Sequence, residues 1–486
     1  MILCLNFPLS QVFYKFVLCS AAVLFAIAAM GIGFSSDAAQ TVPPPQTESL
    51  INESKQMPFH ARNLLTPYLS WGGETVIQLG SQGDMSFQGG KNIDFNANEL
   101  KFGIHYRPVK RFSAYSTLMW QKVYRLDSTN SDDFVGFESA YLAWNDEQGE
   151  PSLFIGRQYY EDSRGFLFHQ SLDGLHGDWQ WQQADQHWRL NLAFARQGVW
   201  DRDLRQPDKS VQDVQLLWLT FTRLGWQIAA YSLATQTHYD PMSPDFAVTA
   251  DDIPASGQSK PITFGLRGLG DTAAMLGIDK IWPLNNMTHW FELAYVAGEE
   301  YQRKLSGTGV DLGLLIPLSD SKLTLILGYA FGSGDEANLA EITNNKPVDK
   351  RFRQSGFQLN NGWLGEGGAK FKYYGELVKP ELSNIAISTL GLRLKPNETS
   401  SIELVYHDYQ QDQASSQFYG QGIKVTPNGI NPELGEAVDL ILSYRAIKGL
   451  KLELDISWFS PRQAFQSASH NAKDVWQVYT ELRYHF

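Results

Sequence analysis

Apolar and polar side chains alternate without a break along residues 476–486, and this stretch ends on an aromatic side chain. The even-numbered positions from Trp476 to Phe486 fall on one face of a β-strand. The odd-numbered positions, among them Glu481 and Arg483, fall on the opposite face. The pattern therefore predicts a long strand whose two faces meet different surroundings.

The same alternation recurs throughout the second half of the chain and near its beginning. Leucines at 450, 452 and 454 alternate with Lys451, Glu453 and Asp455. Similar stretches occupy residues 100–107, 323–331 and 438–445. Several charged side chains on one strand face would be expensive in a dry protein core but tolerable in a water-filled lumen. The apolar faces suit contact with lipid.

Short and long connections alternate between these stretches. Eighteen strands are expected, because we count eight short turns and nine long loops; outer-membrane barrels have short periplasmic turns, long extracellular loops and an even strand number. The turns fall near 107–111, 145–151, 183–187, 222–225, 283–288, 317–321, 396–400 and 446–449, and the loops near 80–93, 126–133, 160–171, 198–210, 237–270, 298–308, 332–382, 411–435 and 460–473. The sequence predicts an all-β fold: a transmembrane antiparallel β-barrel of about 18 strands.

The longest predicted loop, Gly332 to Leu382, mixes glycines with charged residues. A barrel of about eighteen strands is too wide to be filled by wall side chains alone. This loop is therefore the best candidate to fold inward as a constriction. A mobile surface loop is the alternative.

The N-terminal region indicates export. Residues 1–39 combine Lys15, an apolar run from Phe16 to Phe34 and then small residues that suit a cleavage site, which is typical of a signal peptide. A retained signal anchor is the alternative. We expect a Pro-rich periplasmic tail at 40–72 and the barrel at 73–486. Both cysteines, Cys4 and Cys19, lie within the signal, so no disulfide is expected in the mature chain.

Composition and charge narrow the function. The chain has 63 aromatic residues (14 Trp, 21 Tyr and 28 Phe) and 41 Gly, which suits a barrel but also a large periplasmic sandwich or propeller. A net charge of -12 argues against binding nucleic acid. The expected location is the outer membrane of a Gram-negative bacterium. The expected partners are outer-membrane lipid, the barrel-assembly machinery through the C-terminal strand, and a periplasmic export scaffold.

Motifs of catalytic sites are missing from the sequence. It contains no G-x-S-x-G, no H-E-x-x-H, no phosphate-binding glycine loop and no cysteine cluster for zinc. A Ser-His pair across strands or an acidic-His site at the loop rim remains open on sequence grounds. We predict that the protein is not an enzyme and needs neither cofactor nor metal.

Five segments, in order, resemble the alginate-export porins of the outer membrane. They are Phe154-Ile155-Gly156-Arg157-Gln158 followed by Glu161-Asp162-Ser163, then Gly328-Tyr329-Ala330-Phe331-Gly332-Ser333-Gly334, Gly375-Glu376, Glu381-Leu382-Ser383-Asn384, and Leu404-Val405-Tyr406-His407. The resemblance implies an eighteen-stranded passive channel for a secreted polysaccharide, lined by arginines that attract uronate carboxylates.

Carried over to this sequence, the resemblance implies that Arg107, Arg157 and Lys379 are basic lumen positions. Other basic positions of the family are lost, since Phe137 and Tyr159 stand in two of them. The belt of positive charge therefore looks diluted. The full set of residues predicted to line the pore or bind substrate is Arg107, Arg157, Lys379, Glu161, Asp162, Glu138, Glu376, Arg445, Glu453 and Asp455.

The sequence thus predicts a channel for passive diffusion of an alginate-like polysaccharide or a related charged saccharide. Rings of basic side chains select anions and acidic rings select cations, so the family's belt implies anion selectivity. The alternative is a general or substrate-specific uptake porin for sugars, organic acids or aromatic compounds, in which the inward tyrosines Tyr115, Tyr159 and Tyr479 offer stacking surfaces.

Overall fold

The computed structural model describes residues 63–90, 92–125, 131–145, 152–199, 211–238, 258–278, 287–300, 303–319, 322–335, 348–362, 370–423, 425–466 and 472–486. The predicted signal peptide lies outside these residues, and so does most of the predicted periplasmic tail. No helix in this part of the chain is long and apolar enough to cross a membrane.

Eighteen long strands follow one another through the described residues, and each is antiparallel to the next. The first and last strands also pair, with Glu74 opposite His485 and Gln82 opposite Gln477, so the sheet closes on itself. The predicted eighteen-stranded barrel is confirmed. The strands are β1 Leu69–Gln82, β2 Ile93–Val109, β3 Phe112–Arg125, β4 Ser131–Asn145, β5 Ser152–Glu161, β6 His169–Gln183, β7 Gln186–Gln197, β8 Val211–Arg223, β9 Trp226–His238, β10 Gln258–Asp271, β11 Thr288–Glu300, β12 Arg303–Ser319, β13 Leu323–Gly332, β14 Ile385–Asn397, β15 Ser400–Gln410, β16 Glu433–Tyr444, β17 Leu450–Pro461 and β18 Val475–His485.

Short elements flank the long strands of the barrel in the described residues. A strand at Asn63–Thr66 pairs with the beginning of β1, which starts at Leu69, slightly before the expected boundary at residue 73. A five-residue helix, α1 (Thr272–Leu276), follows β10, and a 3-10 turn (Gln463–Phe465) follows β17.

The two faces of the strands differ as the alternation predicts. On β2, Phe102 and Ile104 are 41% and 44% exposed on the bare protein surface, where lipid would cover them. Lys101, between Leu100 and Phe102, points to the other face and contacts Glu138 of β4. Charged side chains of neighbouring strands therefore meet inside the barrel, and apolar ones face outward.

One predicted loop is wrong, because most of its second half forms β10. A long loop was predicted near 237–270, but Gly265 and Gly268 lie in the barrel wall. A Cβ at Gly265 would lie 2.1 Å from the Tyr231 ring, and one at Gly268 would lie 2.0 Å from the Phe291 ring. Both glycines are needed because aromatic rings of adjacent strands cover their backbone.

A second predicted loop, at 298–308, is also mostly strand. β11 continues to Glu300 and β12 begins at Arg303. Glu299 lies opposite Lys304, and Glu300 opposite Arg303. Cross-strand pairs of opposite charge support a sheet that extends beyond the lipid into water. The predicted long loop is therefore mostly a strand hairpin.

Part of the chain between β13 and β14 folds into the lumen. We call residues 348–362 and 370–384 the inner segment. Val348 and Asp349 pair in parallel with the beginning of β12, and Phe357 bridges to Phe168. Phe352 and Phe166 are almost fully buried, with ring centroids 6.4 Å apart. The inner segment thus packs against the β5–β6 loop, and the expected inward fold of the longest loop is observed for these residues.

Candidate functional site: the barrel lumen

One carboxylate organises the loop between β5 and β6. Asp162 is fully buried, and its oxygens accept hydrogen bonds of 2.7–3.2 Å from four backbone N–H groups. Such charge-assisted bonds fix the backbone of the loop. Asp162 was expected to line the pore, but it holds the loop together instead. The donors are the N–H groups of Arg164, Phe166, Leu167 and Phe168.

Asp162 belongs to a set of five charged residues that we call the sealed network: Asp162, Arg164, Arg267, Glu292 and Asp311. Arg267 donates to Asp162 at 2.8 Å and to Glu292 at 2.5 Å. Arg164 donates to Asp311 at 2.5 Å. None of the five side chains is more than 3% exposed. Two guanidinium groups therefore pair with three carboxylates, and all five groups are out of contact with lumen water.

Aromatic side chains close the sealed network. Asp311 accepts hydrogen bonds from the Trp290 indole at 2.8 Å and from the Tyr374 hydroxyl of the inner segment at 2.7 Å. The Arg164 guanidinium lies over the Tyr373 ring, 4.2 Å from its centroid. These contacts attach the inner segment to the wall at β11 and β12. Four members of the network, Arg164, Arg267, Glu292 and Asp311, are absent from the sequence-predicted set.

Other arginines on the strands are also neutralised within the protein. Arg157 contacts Asp173 with both distances at 3.1 Å, and it is only 6% exposed. Buried ion pairs likewise join Arg189 to Asp178 and Arg393 to Glu403. Arg157 was expected to line the pore, but its charge is directed to a neighbouring carboxylate.

Most charges on the opposite side of the lumen stay partly exposed, although Glu74 and Glu481 are buried, and we call this set the charged ladder. Lys101 lies 2.7 Å from Glu138, 3.2 Å from Glu99 and 3.8 Å from Glu74. Side-chain exposure along the ladder runs from 3% at Glu74 to 30% at Arg483 and Lys370. The ladder contains six carboxylates and four cations. The members are Glu161, Lys370, Glu138, Lys101, Glu99, Glu74, Arg483, Glu481, Lys451 and Glu453.

The ladder follows adjacent strands around the closure of the barrel. Arg483 of β18 bridges Glu74 at 2.8 Å and Glu481 at 2.9 Å, and Lys451 of β17 lies 3.9 Å from Glu481. Lys370 of the inner segment contacts Glu161 at the end of β5. Of the predicted lining residues, Glu138 and Glu453 therefore belong to one continuous series of contacts, and Glu161 forms a separate pair with Lys370.

A second acidic region lies where the inner segment meets β16 and β17. Lys372 donates to Glu376 at 2.9 Å, and the Glu376 backbone N–H donates to Asp439 at 3.1 Å. Lys379 is exposed in this region and has a positive φ of 44°. Asp455 of β17 is 2% exposed. The structure thus brings the predicted residues Glu376, Lys379 and Asp455 into one neighbourhood.

Two predicted lumen arginines lie elsewhere. Arg107 is exposed near the β2–β3 turn, where its guanidinium donates to the Lys110 carbonyl at 2.9 Å. Arg445 follows β16, and its backbone N–H donates to Thr399 in the neighbouring turn. Both residues therefore lie near short turns at the same end of the barrel, and Arg445 is close enough to Glu453 to interact electrostatically.

Metal ligation has little support in the described ranges. Within them, no group of three or more His, Cys, Asp or Glu side chains is arranged to hold a metal ion. The lumen chemistry there consists of ion pairs and hydrogen bonds.

The barrel is similar to solved structures of porins. It matches Acinetobacter baumannii OccAB4 with a TM-score of 0.53 at 10% identity, covering 88% of this chain and 99% of that one. It matches the outer membrane protein OprD from Pseudomonas aeruginosa with a TM-score of 0.53 at 10% identity, covering 90% and 96%. At this identity the likeness shows a shared fold.

Sequence relatives point to a narrower group. The chain is 28% identical over 142 residues to the alginate production protein AlgE of Pseudomonas aeruginosa, and 27% identical over 141 residues to that of Azotobacter vinelandii. Each match spans 27% of the relative's length and under a third of this chain. The model of the family described as alginate export matches residues 118–478. The chain therefore belongs to the alginate-export family of outer-membrane β-barrel channels.

Proposed function

We propose that this channel passes charged saccharide chains of the alginate type by passive diffusion along the charged ladder. The observation that carries the proposal is a row of partly exposed cations beside the ladder's carboxylates. Lys370, Lys372 and Lys379 project from the inner segment, while Lys101 and Arg483 project from the wall. Family membership and the names of the AlgE relatives support the same substrate class.

The ladder's ion pairs suit transient contacts with a polyanion. Partly exposed pairs are worth only about 0–1 kcal/mol each. A uronate carboxylate can therefore replace a protein carboxylate at Lys370 or Arg483 without a large barrier. The displaced glutamates stay hydrated in the lumen. Such exchange lets a chain move from one cation to the next without being trapped.

Single-channel recording in planar bilayers tests this proposal. Oligouronates should block the current at lower concentration than neutral oligosaccharides of the same length. Lys370→Gln and Lys379→Gln should weaken that block a few-fold, since each removes one exposed cation that can pair with a uronate carboxylate. Lys448→Gln, in the exposed β16–β17 turn, is the matched control and should leave the block unchanged. Equal block by neutral and uronate chains would contradict a polyuronate substrate.

Uptake of small solutes is a second candidate, favoured by the inner segment itself. Residues 348–362 and 370–384 occupy lumen space, and Tyr159 and Tyr479 are half-buried beside the ladder. Liposome swelling separates the two functions. Rapid entry of monosaccharides or aromatic acids, together with no block by oligouronates, would favour the uptake porin.

A further inference from the structure

The outward face of β9 carries short side chains, which we call the small-residue stripe: Ala230, Ser232 and Ala234. They point away from the lumen, because Tyr231 between them donates to Glu292 inside the barrel. None of the three is more than 8% exposed, whereas three leucines on the outward face of β14 are 42–51% exposed. The small-residue stripe is therefore a recess in the lipid-facing surface.

Large apolar side chains of the two adjacent strands border the stripe. Ser232 lies opposite Leu217 of β8 and Phe264 of β10. Ala234 lies opposite Ile262 of β10, and these two residues pack with Leu217 and Phe264 on the outside of the barrel. Side chains on the same face of paired strands stand side by side. The stripe is thus the floor of a groove, and β8 and β10 form its walls.

The groove lies at the depth of the lipid. Toward the short turns, the outward aromatic rings of Trp188, Phe221 and Trp226 are in contact, with successive centroids 4.7 and 5.5 Å apart. Toward the long loops, the same face carries the exposed ion pair of Arg196 and Asp213. Aromatic girdles and charged side chains mark the edges of the apolar band of a barrel. The stripe lies between these two edges.

Ser232 is a polar residue in this apolar setting. It is 2% exposed, and its hydroxyl has no hydrogen-bond partner within the described residues. A hydroxyl without a partner in apolar surroundings is costly, and the hydrocarbon tails of lipids offer no acceptor. A second protein surface that packs into the groove can supply one.

A row of polar and charged side chains crosses the outward face just beyond the stripe. Arg196 of β7 lies opposite Asp213 of β8, which lies opposite Gln236 of β9. The register of β9 with β10 places Lys260 beside Gln236, and Lys260 lies opposite Glu299 of β11. The order of charges from β7 to β11 is therefore positive, negative, neutral, positive and negative.

This row is complementary to its own copy. When two barrels meet symmetrically at β9, β8 of one copy faces β10 of the other, and β7 faces β11. Asp213 then faces the partner's Lys260, and Arg196 faces the partner's Glu299. Ser232 meets its own counterpart at the symmetry axis, where one hydroxyl can donate and the other accept.

We propose that the outward face of β9 is the interface of a homodimer, in which two barrels meet about a two-fold axis at Ser232. In lipid, proteins associate through close packing and hydrogen bonds, and small side chains let their backbones approach. The small-residue stripe provides the packing surface, and the charged row fixes the orientation of the copies. The inference goes beyond the proposed function, because it does not depend on what the lumen passes.

Cysteine cross-linking in outer membranes tests the interface. Both natural cysteines lie in the predicted signal peptide, so Ser232→Cys places a single thiol in the barrel. With an added oxidant, this variant should give a disulfide-linked dimer that a reducing agent converts to monomer. Thr480→Cys, on the exposed outward face of β18, is the matched control and should stay monomeric. Ala234→Cys replaces Ser232→Cys if the latter does not form the barrel.

Native mass spectrometry of the detergent-solubilised chain measures the dimer without a cross-link. Ser232→Leu should lower dimer affinity about tenfold, because a larger side chain overpacks the groove. Asp213→Lys should also lower it, and the added change Lys260→Asp should restore part of the dimer by exchanging the charges across the axis. Heat-dependent electrophoretic mobility shows that each variant forms the barrel.

Two results would overturn the inference. The first is equal cross-linking of Ser232→Cys and Thr480→Cys, or none at Ser232 and Ala234. The second is a monomer that retains a phosphorylated glycolipid and loses it in Lys260→Gln, which would assign this face to lipid. Block by oligouronates is measured on the lumen, so a monomeric channel that is still blocked would leave the proposed function intact.

Discussion

Charged side chains meet in two parts of the lumen, in the sealed network near β10–β12 and in the charged ladder around β17, β18, β1 and β2. The sealed network has two cations and three carboxylates, none more than 3% exposed. The ladder has four cations and six carboxylates, with side-chain exposure up to 30%. The residue types are alike, but the solvation differs.

The difference in solvation implies different roles for the sealed network and the charged ladder. Removing one partner of a buried charge network leaves an uncompensated charge in a medium of low dielectric constant. Removing one partner of an exposed ladder pair, such as Lys370 and Glu161, leaves a charge that lumen water can solvate. We therefore expect the sealed network to determine stability and the position of the inner segment. The ladder should determine what passes through the lumen.

Substitution in the sealed network should have the largest effect. Arg267→Met leaves Asp162 and Glu292 without their shared guanidinium, so we expect a loss of about 3–5 kcal/mol in the free energy of unfolding. The measurement is denaturant unfolding of the barrel in detergent, followed by tryptophan fluorescence. Arg483→Met is the ladder counterpart and should lose about 1 kcal/mol or less. Equal losses of unfolding free energy in the two variants would contradict the distinction between the sealed network and the ladder.

The attachment of the inner segment should have an intermediate effect. Tyr374→Phe removes the hydroxyl that donates to Asp311, and a hydrogen bond to a charged group contributes about 1.5–3 kcal/mol. We expect this loss of stability together with noisier single-channel current, because the inner segment is held less firmly. Tyr419→Phe, whose hydroxyl contacts only Gln417 among the described residues, is the control. Unchanged noise in a Tyr374→Phe channel would show that other contacts hold the segment.

The barrel architecture could be predicted from the sequence because each strand carries its own period-two pattern, with one face suited to lipid. β17 and β18 illustrate this, since their even-numbered residues face outward and their charged odd-numbered residues meet inside. The prediction was wrong at β10, which was placed within a long loop. There, the rings of Tyr231 and Phe291 from neighbouring strands decide the outcome, and a single-strand pattern does not contain them.

Side-chain roles in the lumen were less predictable for a similar reason. Glu453 and Asp455 both lie on the inward face of β17, yet Glu453 contacts Lys451, whereas Asp455 is buried and has no hydrogen-bond partner among the described residues. Asp162 and Arg267 are far apart in sequence and meet only because the β5–β6 loop folds inward. An odd or even position along a strand predicts whether a side chain faces the lumen or the lipid. Which of the inward charges become buried depends on the three-dimensional path of the loops.

A substitution in the ladder should leave the fold intact and change conduction. Lys101→Gln removes the cation shared by Glu74, Glu99 and Glu138, so stability should fall by about 1 kcal/mol or less. The freed carboxylates should raise K⁺ conductance relative to Cl⁻, measured as a shift in reversal potential. Lys448→Gln is again the control. A stability loss as large as that of Arg267→Met would show that the ladder is sealed too.

The smallest expected effect concerns pH and the end of the inner segment near the beginning of β12. Burial opposes ionisation of Asp349, but hydrogen bonds and charges of Arg351 and Arg353 outweigh it and hold the pKa of that carboxyl well below its usual range. The stabilisation is therefore fully present above the unfolded pKa of about 3.9 and is lost only as pH falls toward the lower folded value. Pepsin digestion at pH 3–4 should leave the wild-type inner segment intact and cleave it in Asp349→Asn. Cleavage of both proteins to the same extent would show that this arginine cluster does not hold the segment, and that the contacts at Asp311 suffice.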